Sequence, residues 1–162
     1  MGEAEFLEIH RQTAEPLRRY AARVLGNVEA ADDVVQETYL RILRYPGCPA
    51  DPAQVRLLLF RIAGNLMVDQ WRRRGREASR AFAVPVPPQE DPGLRLDMAR
   101  LFGRLSLRER QLIWLAHVEG ADTGDIARAV GVGAGSVKVL LHRARKKLAQ
   151  WLREEDPRKG VP

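Results

Sequence analysis

Apolar residues recur every three or four positions along several stretches of this chain, a spacing typical of helices that bury one face. The clearest stripe comprises Val55, Leu58, Leu59, Ile62, Ala63, Leu66 and Met67. Asp51 before it suits a helix N-cap, and Pro52 suits the first helical position, where a missing amide hydrogen is harmless. We therefore predict a helix from Pro52 to about Arg74.

Two more helices are predicted before this one, over about residues 3–25 and 30–44. Gly26 and Asn27 are predicted to end the first of these helices and separate it from the second, because both residue types commonly follow the last turn of a helix. Pro16 lies inside the first helix, where proline favours a bend.

The stretch from residue 79 to 95 lacks a helical period and is rich in proline: Pro85, Pro87, Pro88 and Pro92. This composition predicts an extended, flexible linker. It separates a first block, residues 1–78, from a second block, residues 96–155, which a tail of residues 156–162 follows. Strand-like alternation is absent, so the expected fold is all-α, with two small helical domains.

The second block contains helix-turn-helix spacing. Ser106 and Glu109 form a capping-box signature for a helix to about Val118. A short helix then leads to the turn Gly131-Val132-Gly133, in which glycine tolerates a left-handed backbone and Val132 can fill the angle between helices. The longer helix that follows has an inward stripe of Val137, Leu141, Ala144 and Leu148.

Composition excludes several classes of protein. The 162 residues contain one cysteine, Cys48, which excludes an internal disulfide and a cysteine-based zinc site. No apolar run is long enough to span a membrane, so we expect a cytoplasmic protein without membrane insertion. The histidines at 10, 117 and 142 are scattered, and no nucleophile lies beside an acid-base pair. We expect no metal, no cofactor and no enzymatic activity.

The formal net charge is +6, and most of the basic excess lies in residues 96–162. Residues 134–147 contain no acid, so the second helix of the helix-turn-helix offers a basic face of the kind that enters a DNA groove. Two other interpretations are a helical hairpin with a merely solvated face and a phosphate-binding loop of Gly131, Gly133 and Gly135. A phosphate loop should follow a strand, however, and no strand is predicted.

Two sets of motifs, in this order along the chain, resemble the sigma-70 family of RNA polymerase sigma factors. Residues 31–41 resemble region 2.2, and residues 60–74 resemble regions 2.3 and 2.4. Five segments of the second block resemble region 4: Leu105-Ser106-Leu107-Arg108-Glu109-Arg110, Val118-Glu119-Gly120, Asp125-Ile126-Ala127, Gly135-Ser136-Val137-Lys138 and His142-Arg143-Ala144-Arg145. Because no further domain intervenes, the chain is similar to the compact extracytoplasmic-function group.

The resemblance implies three binding surfaces. Core polymerase would be bound by Asp32, Asp33, Gln36, Glu37 and Arg41, and we expect no neighbouring base beside the acids of this face. The −10 promoter element would be bound by Arg61, Asn65, Trp71, Arg72, Arg73 and Arg74, with Asn65 and the preceding loop capturing a flipped base. Trp71 follows Met67 by four residues, so closing the core remains an alternative role for it.

The −35 element would be bound by Ser136, Lys138, Val139, His142, Arg143, Arg145 and Lys146. The family commonly has serine and arginine where this chain has Val139 and Leu140, so we expect backbone contacts to dominate there. The implied partners are core RNA polymerase, promoter DNA and an anti-sigma factor of the kind that often restrains this group. The main alternative is a stand-alone helix-turn-helix regulator that binds a palindromic operator.

Overall fold

A computed structural model describes residues 1–77 and 94–155, and within these ranges every regular element is a helix. The helices are α1 (Glu3–Leu25), α2 (Val28–Leu43), α3 (Pro52–Glu77), α4 (Leu94–Arg104), α5 (Leu107–His117), α6 (Thr123–Val130) and α7 (Ala134–Glu155). The all-α prediction is therefore confirmed. Residues 79–93 of the predicted linker and the tail at 156–162 lie outside the described residues, and Leu94 and Arg95 already belong to α4.

Local capping chemistry sets most helix boundaries. Ser106 accepts a hydrogen bond from the Glu109 amide at 3.2 Å, and the Glu109 carboxylate accepts one from the Ser106 amide at 2.8 Å, which confirms the capping box. Asn27 was predicted to end α1, but its side chain caps α2 by accepting from the Ala30 amide at 3.0 Å. For this reason α2 begins at Val28, two residues before the predicted start.

The helix-turn-helix is confirmed as α6, a glycine turn and α7. Asp122 caps α6 by accepting from the Asp125 amide at 2.8 Å. Gly131 ends α6 with a φ of 77°, a left-handed conformation that a side chain would strain. Val132 is half-buried against the core, as the sequence predicted.

Each block buries its own apolar stripe. In the first block α1, α2 and α3 pack on one another around Leu17, Tyr20 and Leu59, whose side chains are fully buried. In the second block α5, α6 and α7 enclose Leu112 and Ile126. The two cores form one continuous buried cluster, because α3 packs on α6 and α1 packs on α5. The blocks are therefore joined by apolar contact as well as by the chain between them.

Candidate nucleic-acid interface

The α7 helix separates a buried face from an exposed basic face. Val137, Leu141 and Ala144 are buried against the rest of the second block, while Leu148 is half-buried. The side chains predicted to bind the −35 element are all exposed: Ser136, Lys138, Val139, His142, Arg143, Arg145 and Lys146. The amphipathic spacing of α7 thus brings these predicted residues to one surface.

The basic side chains of α7 differ in their hydrogen-bond and ion-pair partners. Arg145 Nε donates a hydrogen bond to His117 Nε2 at 2.9 Å, and Lys147 pairs with Glu109 of α5. Within the described residues, Lys138, Arg143 and Lys146 have no ion-pair partner. These three cations remain available to neutralise phosphate, while Arg145 is held against α5.

The two departures from the family pattern lie in different environments. Val139 is 49% exposed, so its methyl groups are accessible to a groove. Leu140 is half-buried against the core and widens the inward stripe of α7. The exposed face of α7 therefore has an apolar side chain at Val139 where the family commonly has a polar one.

The α3 helix presents a second basic surface in the first block. Its predicted −10 residues are exposed: Arg61, Asn65, Trp71, Arg72, Arg73 and Arg74. Arg61 and Asn65 are four residues apart and so lie on the same face of α3. Both lie next to buried positions, since Ile62, Ala63 and Leu66 point into the core. A rigid, packed helix therefore supports the Asn65 amide.

Trp71 does not close the core, the alternative that its spacing from Met67 had left open. Its side chain is 43% exposed. The guanidinium carbon of Arg110, from the second block, lies 5.0 Å from the centre of its ring, which is within the range of a cation–π interaction. The Arg110 guanidinium thus lies over the indole, and Trp71 remains partly exposed.

The acidic face of α2 has neighbouring bases, contrary to the prediction from the sequence. Arg18 of α1 pairs with Asp32 at 2.9 Å, and Arg41 pairs with Glu37 at 2.9 Å. The expectation failed for Asp32 because Arg18 is adjacent only after α1 packs on α2. It failed for Glu37 although the i, i+4 spacing to Arg41 was visible in the sequence. Asp33 is exposed and has no ion-pair partner among the described residues, and Gln36 is exposed one turn along.

Arg110 belongs to the first segment that resembles region 4, but no role was predicted for it. It is 6% exposed and donates to three carbonyl oxygens, those of Leu105 at 3.0 Å, Val24 at 2.8 Å and Gly103. Burial lowers the pKa of Arg110, although a guanidinium stays charged at any physiological pH. The signal that could have found it is a charged residue among the buried positions of α5.

The described residues also limit other kinds of site. They contain no group of three or more histidine, cysteine, aspartate or glutamate side chains placed to hold a metal ion. None of the described helices has the length and apolar character needed to cross a membrane.

Comparisons with known proteins identify the family of both blocks. A family model for sigma-70 region 2 matches residues 9–77, and one for sigma-70 region 4 matches residues 95–148. The ECF RNA polymerase sigma factor SigL of Mycobacterium tuberculosis is 33% identical over 156 residues, covering 90% of this chain and 88% of SigL.

Two solved structures are similar in fold. RpoE of Bartonella quintana, solved in complex with the anti-sigma factor NepR, matches with a TM-score of 0.78 and 24% identity, covering 94% of this chain and 99% of RpoE. CnrH, solved in complex with the cytosolic domain of CnrY, matches with a TM-score of 0.69 and 27% identity, covering 96% of this chain and 92% of CnrH. Family models match both regions, and SigL is 33% identical to this chain along most of the length of both proteins. This chain therefore belongs to the sigma-70 family, as one of the extracytoplasmic-function sigma factors that direct RNA polymerase to promoter DNA.

Proposed function

We propose that this sigma factor divides promoter recognition between the exposed face of α3, which binds the −10 element, and that of α7, which binds the −35 element. The observation that carries the proposal is that each block presents its own exposed, basic helix face. A stand-alone operator-binding regulator needs only the α7 face, so the α3 face favours the sigma-factor assignment at residue level. The two proposed domains are residues 1–78 and 96–155, and residues 79–95 connect them.

Strand opening would be coupled to recognition at Asn65. Its exposed amide offers both a donor and acceptors, which suits the hydrogen-bonding edge of an unpaired base. A base inside a duplex presents that edge to its partner strand, so a side chain that binds it favours the opened state. Arg72, Arg73 and Arg74 follow on α3 and would neutralise nearby phosphates. The protein needs no catalytic residue for this step, and we propose that it is not an enzyme.

Core polymerase would be bound through α2, with Asp33 at the centre of the contact. Asp32 and Glu37 are already paired with arginines, so their charges are partly compensated. Asp33 is the carboxylate of this face without such a partner in the described chain, and Gln36 offers an uncharged hydrogen-bonding group beside it. A complementary basic surface would raise the association rate and fix the orientation of docking.

An anti-sigma factor is proposed as a further partner, by analogy with RpoE, which was solved with NepR. We also propose a cytoplasmic location, where core polymerase and promoter DNA are found.

The test of the α3 assignment uses purified protein, core polymerase and a promoter. Asn65→Ala should reduce permanganate reactivity of promoter thymines much more than it reduces closed-complex binding, since its contact forms only after unstacking. A promoter with a pre-melted −10 segment should restore the lost activity. If the bubble restores nothing, base capture at Asn65 is the wrong explanation.

The test of the α2 assignment is co-elution with core polymerase. Asp33→Arg should abolish co-elution, whereas Glu29→Arg, an exposed acid in the first turn of the same helix, should not. Equal co-elution of the two variants would exclude Asp33 as the centre of the contact.

A further inference from the structure

The two ends of α5 contact opposite flanks of α7. Glu109, in the first turn of α5, pairs with Lys147, and His117, the last residue of α5, accepts a hydrogen bond from Arg145 at 2.9 Å. Lys147 follows Arg145 by two residues, which places their side chains about 160° apart round the helix axis. The buried stripe of α7 lies between these flanks and packs on α5. One basic side chain on each side of α7 is therefore fixed by α5.

The two contacts differ in charge. The Glu109 side chain is a carboxylate and only 15% exposed, so it largely compensates the ammonium of Lys147. For His117 Nε2 to accept from Arg145, the imidazole must be neutral, with its proton on Nδ1. The guanidinium of Arg145 therefore keeps its full charge while one of its nitrogens is held. Of the two flanks of α7, the one that carries Arg145 is the uncompensated, cationic one.

The hydrogen bond to His117 leaves the outer end of Arg145 open. The bond uses Nε, and no group within the described residues pairs with Nη1 or Nη2 of Arg145. These two nitrogens carry four N–H groups in one plane, a fork that matches two oxygen atoms of a phosphate. His117 and Arg145 are both exposed, so DNA can reach this fork.

Two other residues of the predicted −35 surface continue the Arg145 flank. Lys138 precedes Arg145 by seven residues and His142 precedes it by three, so all three lie along one side of α7. Lys138 and Arg145 are about 10 Å apart along the axis, at 1.5 Å per residue. Lys138 is a flexible point charge, whereas the direction of the Arg145 guanidinium is set by His117. Arg145 is thus the oriented cation of this flank.

We propose that His117 is a positioning residue for recognition of the −35 element, because it holds Arg145 along this flank so that both Nη groups bind one backbone phosphate. Since the side chain is ordered before DNA arrives, less rotamer freedom is lost on binding. A carboxylate in place of His117 would also hold the guanidinium, but it would cancel the charge that attracts phosphate. His117 itself needs no contact with DNA. This inference deepens the proposed role of α7 and rests on it.

Nuclear magnetic resonance of the free full chain tests the hydrogen bond itself. The Nε–H signal of Arg145, assigned by its loss in Arg145→Lys, should exchange with water about fivefold more slowly than that of the exposed Arg143, the protection that one hydrogen bond of usual strength gives. His117→Ala should remove this protection, whereas Val118→Ala, at the next exposed position, should not. Equal exchange of the Arg145 signal in wild type and His117→Ala would overturn the assigned contact.

Promoter binding by the full chain in complex with core polymerase tests the consequence. His117→Ala should weaken affinity for a promoter duplex by about 2- to 10-fold, the usual effect of having to order one long side chain on binding. His117→Gln should recover most of this affinity, because glutamine Oε1 also accepts and is as many bonds from Cβ as imidazole Nε2. His117→Glu should not recover it, since its charge cancels that of Arg145. Val118→Ala is the control and should bind as wild type does. A loss in His117→Gln equal to that in His117→Ala would contradict the role of His117 as an acceptor.

A double-mutant cycle shows whether His117 acts through Arg145. Arg145→Ala should weaken promoter binding, and adding His117→Ala should weaken it no further. An equal loss from His117→Ala with and without Arg145 would overturn the positioning role. Helical content by circular dichroism confirms that each variant is folded.

Arg143→Ala separates failure of this inference from failure of the proposed function. If Arg143→Ala weakens promoter binding and His117→Ala does not, the positioning role alone is wrong. If neither Arg143→Ala nor Arg145→Ala weakens binding, the assignment of α7 to the −35 element fails, and the role of His117 fails with it.

Discussion

Arg110 is a buried cation that pairs with no carboxylate in the part of the chain that the structure describes, and its charge is balanced by carbonyl groups at two helix ends. Gly103 and Leu105 lie at the end of α4, and Val24 lies near the end of α1. Helix C-termini carry partial negative charge and unpaired acceptors, which a planar guanidinium can satisfy together. The residue thus replaces an ion pair with three carbonyl contacts.

We predict that Arg110→Met lowers the free energy of unfolding by about 2–4 kcal/mol, because buried carbonyl acceptors lose their donors. Arg110→Lys should recover less than half of the loss, since one ammonium cannot span three acceptors in different directions. Urea unfolding followed by circular dichroism measures both. Arg108→Met, exposed on the same helix, is the matched control and should change stability by less than about 0.5 kcal/mol. A similar loss in both variants would contradict a special role for Arg110.

A contact can be predicted from a motif only when both partners are near in sequence, although the Asn27 cap and the Glu37–Arg41 pair were missed even so. The Ser106–Glu109 capping box and the Asp122 cap involve residues three apart, so the motif alone contains the geometry. The contact between Arg110 and Val24 joins residues 86 apart, and no local pattern specifies it. The Arg18–Asp32 pair shows the same limit at a separation of 14, because it depends on how α1 packs on α2.

At the scale of helices, Glu109 connects the start of α5 to the middle of α7 through hydrogen bonds. Its carboxylate accepts from the Ser106 amide and from Lys147 of α7. Burial alone would raise the pKa of Glu109, but the hydrogen bonds from Lys147 and Ser106 outweigh it, so the folded pKa lies below the ordinary value of 4.5. The stabilisation is therefore fully present above pH 4.5 and is lost as pH falls through the lower, folded pKa.

We predict that Glu109→Gln lowers the free energy of unfolding at pH 7 by about 1 kcal/mol, the usual size of a helix-cap contribution. The difference from wild type should shrink as pH falls below 4.5, because the wild-type carboxylate then becomes protonated. Urea unfolding between pH 7 and pH 3.5 measures this, with the exposed Glu29→Gln as control. A difference that stays constant across this range would show that charge at Glu109 is not its cause.

The exposed face of α7 should read DNA mainly through phosphate contacts, because Val139 and the half-buried Leu140 cannot donate hydrogen bonds from their side chains. If Arg143 contacts one phosphate, Arg143→Ala should reduce the salt dependence of −35 binding by about 0.9 in the log–log slope. Affinities measured against salt for a set of −35 variants separate this from base reading, which would relax preference at one position by about 1–3 kcal/mol. A sharp single-base preference that depends on Val139 would overturn the prediction.

At the scale of the whole molecule, the sequence predicted the helical blocks but not their packing. Helix periodicity specifies which face of each helix is buried, and it correctly placed Leu59 and Val137 inside. It does not say whether a buried face meets its own block or the other one. Gly64 illustrates the difference, since the sequence around a glycine within a helix does not indicate which other helix packs against it.

The shared core leads to a prediction about the cut chain. If a specific protease site is introduced between residues 79 and 93, cleavage should give two fragments that still co-elute at micromolar concentration, because the blocks are held by buried apolar contact and by Gln111, Arg110 and Arg56. Arg56→Glu should weaken the association, as it leaves the mostly buried carboxylate of Glu119 facing a like charge. Raising the salt concentration should weaken the wild-type complex only modestly, since burial limits screening and apolar contact does not depend on charge.

Size-exclusion chromatography of the cleaved protein measures this association, with cleaved Gly75→Leu as the control that should still co-elute. Fragments that separate at once in wild type, each retaining its helical content, would show that the blocks are joined by the chain alone, and the packing of α6 on α3 could not then organise the free protein.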